Sequence, residues 1–379
     1  MSTPSSLAIP LLLVATAIVL IVRRRRFERL WPQRAPCQAR RVQARLLTDS
    51  GGSEAIVIEG RLGNVPMPFL VDTAYAGAPV ISLSYLALRE REASVRWRSG
   101  TSNRDTWRET TRLLSGQTFT ETELNAALER LLHARWCRAF TAGCSMRLVG
   151  IGQARTSHAD MLLCPSIAFG GEERGCGVDA DVLVTHALQH NVNILTIDYL
   201  LHRAPALIEP RRESLTFHAT VPRGFHRFDA DLVGGAFRIP VTINGLQLIM
   251  FVDTGAAASV SLGRAAALRV TGGRCEDGPR RVTQVGVHSE EVCSDVVRTT
   301  VTLAGTEMQV DTLLNAQEVE DADGYLGLGY LRCFDMLFTY DALSLRSNGL
   351  SPSATVGAGG GRCTNGVLQS CGAANGSSL

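Results

Sequence analysis

The chain has 379 residues, 45% of them hydrophobic and 20% charged, with 36 glycines and 6% aromatics. That length exceeds one small domain and suits two compact domains with tails, and the glycines beside short β-branched runs favour β structure over a helical bundle. The net charge is +2, with much of the positive charge confined to the arginines before residue 46, which excludes a nucleic-acid-binding domain.

Ser6 to Val22 carries no charge and is rich in Leu, Ile, Val and Ala, and Arg23 to Arg26 follow at once. The run is at the short limit for a spanning helix. A cleavable signal peptide places its positive charge before the apolar run, whereas here the charge comes after it. The expectation is a single-pass N-terminal membrane anchor over residues 6–22, its basic flank reaching residue 26, with the rest of the chain on the cytosolic side. The alternative is a signal peptide leading into a secretory lumen. Residues 27–53 read as a linker.

The chain then repeats itself. Leu62 to Ala74 and Ile243 to Gly255 align without a gap: a turn signal (Gly63-Asn64, Asn244-Gly245), an apolar strand, then Asp72-Thr73-Ala74 or Asp253-Thr254-Gly255. Residues 89–147 form an insertion in the first copy. Within it Thr120 and Glu123 make a capping box, and Leu124, Leu128, Leu131 and Leu132 fall on one helical face, as ordinary packing requires. Leu148 to Gln153 and Thr283 to His288 both read as glycine-bearing tips of β-hairpins. Val182 to Leu188 matches Tyr325 to Leu331, and Ile194 to Asp198 matches Leu337 to Asp341, each of these short strands ending at an Asp that reads as a turn cap. The domain division is therefore 54–218 and 219–347. The Gly-, Ser- and Asn-rich residues 348–379 read as a disordered tail.

The ten cysteines include no CxxC pair, and no HExxH, GxSxG or GxxxxGK[ST] occurs. His186 and His190 have helical metal-ligand spacing but lack a third ligand, so packing or surface roles are the simpler reading. No metal and no cofactor is expected. What remains is a pair of carboxylates in matched settings. Two carboxylates held close together share one proton: one member takes a proton from water while the other donates to a scissile carbonyl oxygen. Small residues after Asp-Thr let backbone approach the pair.

These motifs resemble the retropepsin and pepsin group of aspartic peptidases. Phe251-Val-Asp253-Thr254-Gly255-Ala256 is close to the retroviral-type pattern, and Tyr325-Leu-Gly-Leu-Gly-Tyr-Leu331 resembles the second signature segment behind the active-site loop. The resemblance implies a mainly β, bilobal acid-protease fold with lobes related by a pseudo-two-fold axis and a small helical insertion in the first lobe. It implies an aspartic endopeptidase with catalytic Asp72 and Asp253, supported by Thr73, Thr254, Ala74 and Gly255. It implies protein or peptide substrates bound extended under flaps at Gly150, Ile151, Gly152 and at Val285, Gly286, Val287, in a monomer that is an intramolecular pseudo-dimer. The sequence departs from the family at Ala74-Tyr75, and it has neither Asp nor Asn at Gly329 or at His186, its match in the first copy. Where pepsin-like enzymes place a Ser or Thr donor beside each carboxylate, Tyr75 and Ala256 stand instead, so a less acidic optimum is expected. The rival readings are a catalytically inactive bilobal peptide-binding protein and an enzyme that acts through homodimerisation of the second lobe.

Overall fold

This computed structural model describes residues 39–48, 54–62, 65–92, 119–132, 139–148, 155–169, 178–185, 193–229, 231–233, 235–273, 281–285, 291–315, 318–353 and 363–364. The described chain is mainly β. In the first half the strands are β1 (Arg40–Thr48), β2 (Glu54–Leu62), β3 (Val65–Asp72), β4 (Val80–Ser82), β5 (Ala139–Leu148) and β6 (Arg155–Phe169). They are followed by β7 (Val178–Thr185), β8 (Asn193–Thr196), β9 (Ala206–Glu209) and β10 (Ser214–Phe217). Helices α1 (Leu83–Glu92), α2 (Glu121–Leu132) and α3 (Ile197–His202) lie among them. The second half has β11 (His226–Asp229), β12 (Asp231–Val233), β13 (Ala236–Ile243), β14 (Leu246–Asp253) and β15 (Val260–Leu262). Helix α4 (Arg264–Thr271) leads to β16 (Arg281–Val285), β17 (Glu291–Leu303), β18 (Thr306–Leu314) and β19 (Gly324–Gly327). Helix α5 (Leu328–Leu331), β20 (Phe334–Phe338), β21 (Ala342–Ser347) and β22 (Cys363–Thr364) complete it.

Local chemistry accounts for these elements. Asn244 and Gly245 both have positive φ, 47° and 79°. They make the tight turn that Asn-Gly favours, and β13 and β14 zip together from Ile243↔Leu246 to Arg238↔Phe251. In β14, Leu248, Met250 and Val252 are buried whereas Leu246, Gln247 and Ile249 are exposed, so alternation fixes which face meets the core. Helix α2 starts with the expected capping box: the Thr120 N–H donates to Glu123 Oε2 at 2.8 Å and the Glu123 N–H donates to Thr120 Oγ1 at 3.3 Å.

One set of pairings occurs in both halves. β2–β3 and β13–β14 are antiparallel. β3 runs parallel to β8, and β14 parallel to β19. β4 runs parallel to β7, and β15 parallel to β18. β6 crosses back onto β2 as β17 does onto β13. The halves join edge to edge in the strand order β11-β21-β20-β9-β10-β1, with Met336↔Ile208 and Leu337↔Leu207 at the junction of β20 with β9. A core cluster runs from Val42 to Leu345 and draws on both halves.

Register revises the internal match. Phe69–Asp72 lies against Asn193–Thr196, and Met250–Asp253 against Gly324–Gly327. The counterpart of Tyr325 to Leu331 is therefore Ile194 to Leu200, not Val182 to Leu188. Leu183–Thr185 lies on β7 beside β4, where Thr312–Leu314 of β18 lies beside β15. Asp198 is thus the counterpart of Gly329 rather than of Asp341.

Other expectations change too. Within the stretch read as linker, β1 pairs with β10 and β2, burying Val42, Ala44 and Leu47 while Arg41 and Gln43 stay exposed. The tail read as disordered is docked over residues 348–353, and β22 pairs with β16. The membrane anchor is withdrawn, and with it the membrane location. Among the described residues no helix is long and apolar enough to cross a membrane, and residues 6–22 lie outside those residues. His186 and His190 also lie outside them.

Candidate active site

Asp72 and Asp253 each sit at the end of a strand that runs parallel to a neighbour, at Asp72↔Thr196 and Asp253↔Gly327. Each chain then turns sharply, and the turn aims backbone donors at the carboxylate. The N–H groups of Ala74 and Tyr75 donate to Asp72 Oδ1 at 3.0 and 3.1 Å. Those of Gly255 and Ala256 donate to Asp253 Oδ1 at 2.9 and 3.0 Å.

The two turns are locked to each other through fully buried threonines. The Thr73 N–H donates to Thr254 Oγ1 at 3.2 Å, and the Thr254 N–H donates to Thr73 Oγ1 at 3.1 Å. The hydroxyls donate onward across the junction, Thr73 Oγ1 to the Val252 carbonyl at 3.0 Å and Thr254 Oγ1 to the Val71 carbonyl at 2.7 Å. Every donor and acceptor of this buried square has a partner from the other half of the chain.

The square brings the carboxylates to one place. A Cβ added to Gly255 would lie 2.7 Å from Asp72 Cγ and Oδ2. Gly255 therefore has to be glycine: its N–H serves Asp253 while its α-carbon supports Asp72. Both carboxyls are half-buried. Burial pushes Asp72 up to about 6 against the pull of its two backbone donors. Burial, and after it the charge of Asp72, pushes Asp253 well above the ordinary carboxylate range. Two phenols border the pair. Burial and then the charge of Asp72 raise Tyr75, and burial and then the charge of Asp253 push Tyr325 up to about 12. Tyr325 also stacks on Phe251, with ring centroids 5.6 Å apart.

The structure thus brings together Asp72, Thr73, Ala74, Asp253, Thr254 and Gly255. The flap residues are different. Val285 ends β16, while Gly150, Ile151, Gly152, Gly286 and Val287 lie outside the described residues. The strands leading to both tips pair antiparallel, through Leu148↔Arg155 and Val285↔Glu291. Sequence reasoning missed three contributors. Asp198 Oδ2 accepts the Gly77 N–H at 2.7 Å, which ties the first turn to α3 rather than capping a remote one. Tyr325 had no role beyond its place in an apolar segment. Ser353, assigned to the tail, reaches the second turn. The signal for Asp198 was available: Ile194-Leu-Thr-Ile-Asp198-Tyr-Leu200 matches Tyr325-Leu-Gly-Leu-Gly329-Tyr-Leu331 at its Leu-x-x-x-Tyr-Leu positions.

No protein-family model matches the chain. No curated protein matches it. Among solved structures it is similar to a retropepsin-like aspartic protease from Rickettsia conorii, at 17% identity over 32% of this chain and 90% of that one, with a TM-score of 0.26.

Proposed function

We propose that this chain is an aspartic endopeptidase in which Asp72 and Asp253 activate one water between two retropepsin-like lobes related by a pseudo-two-fold axis. The observation that carries this reading is the reciprocal Thr73–Thr254 hydrogen bonding, which sets two Asp-Thr turns face to face and holds the Asp72 carboxyl against Gly255. The recurring strand pairings support the lobe assignment, residues 54–218 with β1 added at their start and residues 219–347. So does a junction sheet in which β1, β10 and β9 mirror β11, β21 and β20. Both aspartates come from one polypeptide, so the active unit is a monomer acting on protein or peptide substrates.

The pair holds one proton. Burial and the Asp72 charge favour keeping it on Asp253, which leaves Asp72 as the base. Asp72 draws a proton from the bound water while Asp253 donates to the scissile carbonyl oxygen. The roles reverse as the amine leaves, when Asp72 returns its proton to the nitrogen. Among the described residues only backbone N–H groups hold each carboxylate, without the added hydroxyl donor of the pepsin pattern. Activity should therefore rise with pH as Asp72 ionises near 6 and fall when Asp253 loses its proton.

The test is peptide-library cleavage by the full chain from about pH 3 to about pH 9, beside Asp72→Asn and Asp253→Asn. Cleavage by the parent, with each single substitution lowering kcat at least ~1000-fold, is the expected result. If only Asp253→Asn were dead, the second half would be working by dimerising. If nothing is cleaved while a statine-containing peptide binds, the chain is a binding module. A maximum below about pH 4 contradicts the protonation scheme.

A further inference from the structure

The two Asp turns are braced from behind in different ways. In the first, both polar atoms of Gly77 are held by side chains: Thr196 Oγ1 donates to its carbonyl at 2.6 Å, and its N–H donates to Asp198 at 2.7 Å. Register places Gly327 and Gly329 at the positions of Thr196 and Asp198. Neither can brace anything by its own side chain, and neither can be replaced easily. A Cβ on Gly327 would lie 2.8 Å from the Ala256 carbonyl oxygen, and one on Gly329 would lie 2.8 Å from Ser259 Oγ and 2.9 Å from the Ala257 carbonyl oxygen.

Ser353 arrives at this gap from the far end of the chain. Its N–H donates to the Gly329 carbonyl at 2.9 Å and its hydroxyl approaches the same oxygen at 3.3 Å. Ser259 Oγ donates to the Ser353 carbonyl at 3.4 Å. The approach is fixed beforehand. Asn348 bonds the carbonyls of Cys333 and Arg332 at 2.9 and 2.8 Å, Arg211 donates to the Asn348 carbonyl at 2.8 Å, and the Leu350 N–H donates to Asn348 Oδ1 at 3.0 Å. From Gly329 the path to the carboxylate is short. The Leu328 N–H holds the Ala256 carbonyl at 2.7 Å, and the Ala256 N–H holds Asp253 Oδ1 at 3.0 Å.

We propose that residues 350–353 are a positioning element for Asp253, with Ser353 supplying to the second turn the brace that Asp198 supplies to the first. The catalytic consequence rests on the aspartic-peptidase reading, whereas the bracing does not. The chain would then carry an asymmetry: one carboxylate positioned from within its own half, the other by a terminal segment whose loss would impair that carboxylate alone.

The experiment compares the full chain with a chain ending at Gly349, a chain ending at Gly360, and full-length Ser353→Pro, which removes the N–H donor. The readouts are kcat and KM on a cleaved peptide and amide hydrogen exchange by mass spectrometry. The chain ending at Gly349 and Ser353→Pro should lose about ten-fold in kcat with little change in KM. Exchange over residues 254–262 should quicken about ten-fold while that over residues 73–82 stays put. The chain ending at Gly360 should behave as the parent. Unchanged kcat and unchanged exchange over 254–262 in the shortened chain overturn the proposal. If the shortened chain does not fold, Ser353→Pro decides on the same readouts. If the full chain cleaves nothing, the peptidase reading fails, and exchange confined to 254–262 still decides whether the segment braces this turn.

Discussion

The turns carrying Asp72 and Asp253 perform the same local task with different residues. Each aims two backbone N–H groups at one carboxylate oxygen and exchanges threonine hydrogen bonds with the other. Beyond that inner layer they diverge. The first has Ala74 where the second has Gly255, Tyr75 where the second has Ala256, and Gly77 at φ +109° where the second has Ala258. Behind them stand Thr196 and Asp198 on one side and Gly327 and Gly329 on the other. What is shared is what two carboxylates need in order to meet. What differs is the support behind them, and several different contacts can hold a turn still.

The sharpest way to break this comparison is to exchange the residue after each Asp-Thr. Gly255→Ala places a methyl 2.7 Å from the Asp72 carboxyl, so the carboxylate or the turn must move. Displacements of this kind cost about 100-fold in rate, and kcat should fall by that order. Ala74→Gly removes atoms rather than adding them and should leave kcat within about three-fold. Equal losses from both substitutions, measured on one peptide, would mean that the two turns are as alike in packing as in sequence.

The threonine square should behave symmetrically. Thr73→Val and Thr254→Val keep shape but delete a hydroxyl that both donates and accepts in a fully buried setting. Each leaves one N–H and one carbonyl without a partner, at about 1–3 kcal/mol per group, so each variant should lose about 3 kcal/mol in urea unfolding. A difference of more than about 1.5 kcal/mol between them would show that one half of the chain does most of the holding.

The same division decides how much of the site was legible in the sequence. Asp72, Thr73, Asp253 and Thr254 could be read because each sits in a short contiguous motif whose strand and turn signals are local. The structure places these four together. The backing could not be read so easily. Asp72 and Thr196 are brought side by side by parallel pairing across a long connection, and apolar strand segments resemble one another closely enough that Val182 to Leu188, which shares two leucines with Tyr325 to Leu331, was aligned with it in place of the true counterpart. Asp198 was consequently aligned with Asp341 and lost its role. Ser353 was hidden for another reason: it acts largely through backbone atoms, which composition does not report, inside a Ser- and Gly-rich stretch. The alternation of β1, with Val42 and Ala44 in and Arg41 and Gln43 out, was visible in the sequence and went unread in a segment taken as a linker.

A smaller effect sharpens the contrast in backing. Asp198→Ala leaves the Gly77 N–H without its 2.7 Å acceptor, in a turn that Thr196 still holds through the Gly77 carbonyl. The loss should be about 2 kcal/mol in urea unfolding, with exchange quickened over residues 73–82 and not over 254–262. If the second turn loosened equally, the backing would belong to one shared network rather than to each half.

The smallest effect separates the two carboxyls themselves. Both titrate higher in the folded chain than an exposed Asp does, Asp253 through burial and then the charge of Asp72. Below about pH 4 folded and unfolded chains are both protonated there, and the stabilisation linked to these protons is complete. As pH rises through about 6 the unfolded chain has already released protons that the folded pair still holds, so stability falls. Replacing either carboxyl by its amide removes that penalty and keeps an oxygen for the backbone donors. At about pH 8 Asp253→Asn should therefore melt ~2–5 °C above the parent, and the gain should vanish near about pH 4. Asp253 carries the added repulsion from Asp72, yet either substitution removes one partner of that repulsion. Both substitutions should accordingly gain in thermal melts, and a gain confined to Asp253→Asn would show that Asp72 neither carries a burial penalty of its own nor repels Asp253.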